Sequence, residues 1–226
     1  MTEEENLTHI ILNDLKDIQI QTRDSNILTN ISYLPPSFTL IGTGTDAIVV
    51  RHRLEPKKVY KVFSSDTLHL LEKEHNAYKK LTPSPYFATC YGRESNFLIL
   101  SYESGYTLYE CLELGIPIPE SVIDEVNQAI QHATNCGLYP KDIHLKNIIL
   151  QEKHIKLIDL ASFLEPGQDQ RWDHLVDGYR RFYPFLQGKK IPGYIIEKVK
   201  HLYFNSESES SVFDYVQKLL QYLKIK

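Results

Sequence analysis

The stretch Tyr139-Pro140-Lys141-Asp142-Ile143-His144-Leu145-Lys146-Asn147, followed by Lys156-Leu157-Ile158-Asp159-Leu160-Ala161, decides how this chain of 226 residues is read. An acid is followed five positions later by an amide, then by the short apolar strand Ile148–Leu150, a turn, a second apolar strand Ile155–Ile158 and another acid. Asp142, Asn147 and Asp159 can thereby converge on one metal and nucleotide, since oxygen donors are what a hard divalent cation takes. Asp and Asn are also ordinary turn residues, and taken alone the Asp142 to Asn147 spacing equally fits a cap between helix and strand.

The order of the parts upstream narrows the choice. Leu40-Ile41-Gly42-Thr43-Gly44-Thr45-Asp46-Ala47-Ile48-Val49-Val50 reads as strand, flexible loop, strand, with glycines where a backbone could approach phosphates. A hairpin with a glycine turn has the same pattern. Further on, Val59-Tyr60-Lys61-Val62-Phe63 alternates like a strand and holds a single lysine, a residue that inside a strand ordinarily marks an edge or a solvated face. From Asp66 to Leu81 the apolar residues Leu68, Leu71, Ala77, Tyr78 and Leu81 form a helix-compatible stripe. Glu74 and Glu72 both lie on that helix, and either can partner Lys61 or remain a solvated charge. Phe97-Leu98-Ile99-Leu100-Ser101-Tyr102-Glu103 is a buried strand running into a turn at Ser104-Gly105.

In this order, residues 38 to 186 resemble the protein-kinase fold, whose catalytic loop reads H-R-D-x-x-x-x-N and whose metal-binding strand ends in D-F-G. The resemblance implies an α+β fold of two lobes, a small antiparallel-sheet N-lobe over residues 38–103 and a mainly helical C-lobe over 104–226, with residues 1–37 as an extension on the small lobe. It implies ATP and Mg²⁺ as cofactors. Asp142 would orient the acceptor hydroxyl or take its proton, and Asn147 and Asp159 would hold Mg²⁺. Ile41, Gly42, Thr43 and Gly44 would cover the phosphates, Val49 would floor the adenine, and Lys61 would contact the α/β-phosphates with Glu74 as its preferred partner. Leu100 would stand at the gate of the pocket, with backbone groups of Ser101, Tyr102 and Glu103 bonding adenine. His144 stands where protein kinases usually carry lysine and where choline and aminoglycoside phosphotransferases carry histidine. It can touch the phosphate or Asp142, or simply hold the turn.

The departures are as informative. Asp159-Leu160-Ala161 replaces D-F-G, Lys141 replaces the arginine before the catalytic acid, and Pro140 replaces the usual His or Tyr. Only Leu160 to Arg171 separates the metal acid from the helix that begins near Trp172, and A-P-E is missing. A full activation segment does not fit that length, as in compact bacterial kinases and RIO-type enzymes. Regulation by a phosphate on that segment is therefore not expected, since the missing arginine is its usual partner.

Elsewhere, helices are expected over Ser121 to Cys136, Trp172 to Leu186, Ile195 to Tyr203 and Val212 to Leu223. The second of these should be the central buried helix of the large lobe, with Asp173 tying it to the catalytic loop. A net charge of −4 gives no footprint for nucleic acid or an anionic membrane. The acidic start Met1-Thr2-Glu3-Glu4-Glu5-Asn6 lacks a secretion core, no apolar run reaches spanning length, and three cysteines without C-x-x-C read as reduced thiols. A cytoplasmic protein is expected. Three functions stay open: a serine/threonine protein kinase, a kinase for a small hydroxyl metabolite, and a nucleotide-binding module without activity.

Overall fold

The computed structural model describes residues 3–21, 28–152, 154–205 and 213–218. Two compact units emerge, one formed by Met1–Glu103, Cys136–Leu138 and Asp159–Pro166, the other by Ser104–Asn135, Tyr139–Ile158 and Gly167–Lys226. Among the described residues no helix is long and apolar enough to cross a membrane.

The first unit opens with helix α1 (Glu3–Lys16), then β1 (Gln19–Gln21), β2 (Asn30–Tyr33), β3 (Phe38–Thr43), β4 (Ala47–His52) and β5 (Lys58–Phe63). A 3-10 turn at Ser65–Thr67 leads into α2 (Leu68–Lys80), followed by β6 (Cys90–Arg93) and β7 (Phe97–Ser101). Strands β1 and β2 pair with each other, and the rest form an antiparallel sheet of order β3-β4-β5-β7-β6. Strand side chains alternate between faces, so one face presents Ile48, Val50, Tyr60, Val62 and Phe97, and these bury against Ile11, Leu15 and Ile18 from the N-terminal segment. His52 Nδ1 accepts the Leu54 amide, so Nε2 carries the proton and donates to Asp14 Oδ2 at 3.1 Å, joining sheet to α1.

The opposite face is the one that bears on function. Val49 is the cross-strand partner of Lys61, and Lys61 that of Leu98, so all three side chains share it. Lysine here sits on the middle strand rather than at an edge, which the sequence pattern alone disfavours. The glycine segment also differs from a flexible loop. Strand β3 continues through Ile41, Gly42 and Thr43, with a register slip between Leu40 and Gly42 that leaves Ile41 extra. Only residues 44–46 turn, closed by the Gly44 amide on the Ala47 carbonyl at 2.9 Å. Two buried threonines pin this turn. The Thr29 amide donates to the Gly44 carbonyl and its hydroxyl to the Thr45 carbonyl, while the Thr67 hydroxyl donates to the Asp46 carbonyl at 2.7 Å.

The second unit contains β8 (Tyr106–Thr107), α3 (Leu108–Leu114), α4 (Ser121–Asn135), β9 (Ile148–Gln151), β10 (His154–Leu157), α5 (Arg171–Leu186) and α6 (Gly193–Asn205). The three strands make one antiparallel sheet of order β10-β9-β8. Gly105 precedes β8 with φ 140°, where a Cβ would strike the Leu150 carbonyl, so only glycine permits this approach. Thr107 and Glu110 form a reciprocal cap that starts α3. Helix α4 buries Val122, Ile123, Val126, Ala129 and Ala133 on one side and delivers the chain to the segment before β9.

Helix α5, expected as the central buried helix, buries only part of its apolar face. Only Trp172, Phe182 and Tyr183 are buried; Leu175, Val176, Tyr179 and Leu186 line, with α6, an apolar cavity of about 580 Å³, and Phe185 is exposed. It is held by polar bonds instead: Trp172 Nε1 donates to Asn127 Oδ1 at 2.8 Å, and the Tyr179 and Tyr183 hydroxyls bond the carbonyl and amide of Ile118. Of the last expected helix, residues 213–218 are helical and the remainder lies outside the described residues.

Candidate functional site

In the first unit, strand β5 and helix α2 bring a lysine to two acids. Lys61 Nζ lies 2.6 Å from Glu74 Oε2 and 3.1 Å from Asp159 Oδ1. Glu72 is excluded as the partner, because two residues along a helix turn the side chain to another side, and there it pairs with Arg93 at the surface. Glu74 is fully buried, whereas the Asp159 side chain is half exposed. One ammonium against two carboxylates leaves the trio one negative charge in excess if all are ionised. Burial, helped by Asp159 and opposed by Lys61, accordingly pushes the Glu74 carboxyl up to about 7. Burial works against the Lys61 ammonium too, but Asp159 and Glu74 outweigh it and hold its proton more tightly than in an ordinary lysine. Among the described residues, the Glu74 Oε1 atom and the Tyr78 hydroxyl are both buried without a hydrogen-bond partner, one helical turn apart.

The segment after β7 offers less backbone than its sequence suggests. The Ser101 amide donates to the Thr89 carbonyl and the Tyr102 amide to the Lys57 carbonyl, each at 2.8 Å. Of the backbone groups expected to bond adenine, these two amides are already engaged. Leu100 is buried, the Ser101 hydroxyl donates to Glu103 Oε1 at 2.5 Å, and the Arg51 guanidinium stacks on the Tyr102 ring.

In the second unit the segment between α4 and β9 holds Asp142 at φ 60°, a left-handed conformation that Asp tolerates at a cost of roughly 1–3 kcal/mol. Asp159 adopts the same region, at φ 65°. Such a backbone persists where its surroundings fix it. The Asp142 amide donates to Asp169 Oδ2 at 2.7 Å, and its carbonyl accepts Asn147 Nδ2 at 3.2 Å. The second bond fixes the Asn147 amide so that its oxygen is the atom left for a cation. Asp142 Oδ1 is ion-paired with Arg171 Nη1 and lies 3.8 Å from His144 Nε2, too far for a hydrogen bond. His144 Nδ1 accepts the Lys146 amide, so Nε2 carries the proton. The Asn147 carbonyl accepts the Ile158 amide at 3.0 Å, tying the loop to the end of β10. Lys146 turns away to Glu197.

Two residues of this cluster escape a reading of the sequence. Asp173 is exposed, and the acid that reaches the loop is Asp169, with Arg171 beside it. An Asp two positions before a helix start is a recognisable capping signal, and the Arg171 amide does donate to Asp169 Oδ1. The pairing of Arg171 with Asp142 has no local signal at all.

No family model matches the chain. Among curated proteins it is similar to one from Bacillus subtilis (strain 168) named "Putative serine/threonine-protein kinase YrzF", with 36% identity over 169 residues, 73% of this chain and 78% of the relative. Among solved structures it is similar to the crystal structure of the Mycobacterium tuberculosis PknI kinase domain, at 15% identity and a TM-score of 0.46, over 76% of this chain and 80% of that one. With the curated relative matched over more than two thirds of both chains, this chain belongs to the protein-kinase-like family, and its α+β fold is that family's fold.

Proposed function

We propose that the protein transfers the γ-phosphoryl group of ATP to a hydroxyl, acting as a serine/threonine protein kinase in the cytoplasm. The observation that carries this is the buried Lys61–Glu74 pair with Asp159 on the same ammonium. A stability argument for that trio is poor, because burying the Lys61–Glu74 pair beside a second carboxylate costs more than packing apolar side chains there. A polyphosphate and a cation give it a use. Lys61 binds phosphate oxygens while Glu74 keeps its ammonium in place, and Asp159 and Asn147 offer oxygen donors suited to Mg²⁺. When bound, Mg²⁺ neutralises charge that develops on the phosphates.

Asp142 aligns the acceptor. The hydroxyl oxygen bonds to the γ-phosphorus as the bond to the ADP oxygen breaks, and the hydroxyl proton passes to the Asp142 carboxylate. The curated relative's name supports a protein acceptor. A small hydroxyl metabolite is the second reading, supported by the shortness of the connection from Asp159 to the start of α5 at Arg171 and by a histidine, His144, two positions after Asp142. Incubation with γ-labelled ATP, a lysate and a metabolite panel separates them. Label in protein supports the first reading and label in a metabolite the second. Absence of both, together with no Mg-ATP binding by calorimetry, would end the kinase proposal.

A further inference from the structure

We infer that Arg171 is a positioning residue for phosphoryl transfer, fixing the carboxylate of Asp142 so that one oxygen remains for the acceptor. The inference rests on Asp142 as the acid that aligns the acceptor. Three bonds define Asp142: its amide to Asp169, its carbonyl to Asn147 and its Oδ1 to Arg171. The first two fix the backbone. Among the described residues only the third fixes the side chain, since His144 stays beyond hydrogen-bonding distance.

Arg171 is itself held from two other sides. Its Nε lies 3.7 Å from Asp169 Oδ2, and its guanidinium sits 5.4 Å from the centre of the Phe204 ring on α6. Asp169 therefore acts twice, on the Asp142 backbone through its own side chain and on the Asp142 side chain through Arg171. A guanidinium presents several donors in a rigid plane and can meet both acids at once. An ammonium cannot. With Oδ1 engaged by Arg171, Oδ2 is the oxygen that takes the acceptor hydroxyl. The carboxylate is then oriented before the substrate arrives, and the reacting oxygen needs no search.

The test measures phosphate transfer from Mg-ATP with dephosphorylated casein as acceptor, summing label in casein, in the chain and as free phosphate. Arg171→Gln is expected to lower kcat by about 10²-fold, the cost of a misplaced reacting group, while KM for ATP and the melting temperature change little. Arg171→Lys should recover part of that loss. In an Asp142→Asn background, Arg171→Gln should cost less than three-fold more, because a residue acting only through Asp142 has nothing left to act on. A wild-type or raised kcat in Arg171→Gln overturns the inference, and so does a full, additive loss in the double variant. Should Arg171→Gln lower the melting temperature, the comparison with Arg171→Lys at equal folded fraction decides by the same kcat criterion. If Asp142→Asn alone transfers at the wild-type rate, the role of Asp142 fails and this inference with it; if Asp142→Asn is impaired and Arg171→Gln is not, only the inference fails.

Discussion

Asp159 of the first unit and Asp142 of the second share one backbone device and differ in everything around it. Both hold a left-handed φ that glycine would adopt without strain. Asp159 shares a buried lysine with a second, fully buried carboxylate. Asp142 faces an arginine that is about as exposed as itself, and its backbone, not its burial, is what the surroundings secure. The difference teaches how two acids with the same local conformation come to different work. A crowded trio with an excess of carboxylate gains from a cation, and its ammonium from phosphates. A carboxylate held by directional bonds at a half-open position is suited to orienting a hydroxyl.

The largest expected effect separates the two acids kinetically. Asp142→Asn should lower kcat by about 10²-fold or more with the dissociation constant for Mg-ATP unchanged, since a positioned base acts mainly in the transition state. Asp159→Asn should weaken Mg-ATP binding as well as turnover. Calorimetric titration beside a transfer assay reads both, and equal loss of ATP affinity in the two variants would erase the distinction.

A smaller effect follows from the crowding in the first unit. Glu74 binds its proton more tightly in the folded chain, at about 7, than in the unfolded chain, at 4.5. Its contribution therefore favours folding fully below pH 4.5 and is lost as the pH climbs towards about 7. Glu74→Gln cannot ionise, so the difference in unfolding free energy between wild type and variant should tilt across that interval in the variant's favour. Urea unfolding at intervals between pH 5 and 8 measures it, and parallel curves would show that Glu74 is ionised throughout.

The smallest effect concerns strain. Asp159→Gly removes both a left-handed non-glycine residue and the excess charge on Lys61, and should stabilise the chain by about 1 kcal/mol at neutral pH. Asp142→Gly also relieves strain but abandons Arg171, and should be close to neutral. A destabilised Asp159→Gly would mean that the acid supports the fold rather than a ligand.

Much of this arrangement is legible in the sequence because it is local. Alternation in Val59 to Phe63 marks β5, the stripe from Leu71 to Tyr78 marks α2, and the Asp142 to Asn147 spacing survives whatever surrounds it. The family resemblance supplied roles for those residues that no periodicity contains. What stayed hidden depends on contacts distant in the chain. The glycine turn reads as a loop until Thr29 and Thr67 are seen to bond its carbonyls. Amides at Ser101 and Tyr102 look available until strand neighbours claim them.

The sequence by itself determined β5, α2, α4, β9 and β10 and which acids and amides flank them, because propensity and periodicity are properties of neighbouring residues. Only the tertiary structure decided that Glu74 rather than Glu72 meets Lys61, that Asp169 rather than Asp173 secures the loop, and that Arg171 takes Asp142. Those choices turn on direction in space and on the cost of leaving a buried charge unmatched, and neither is written in the order of residues.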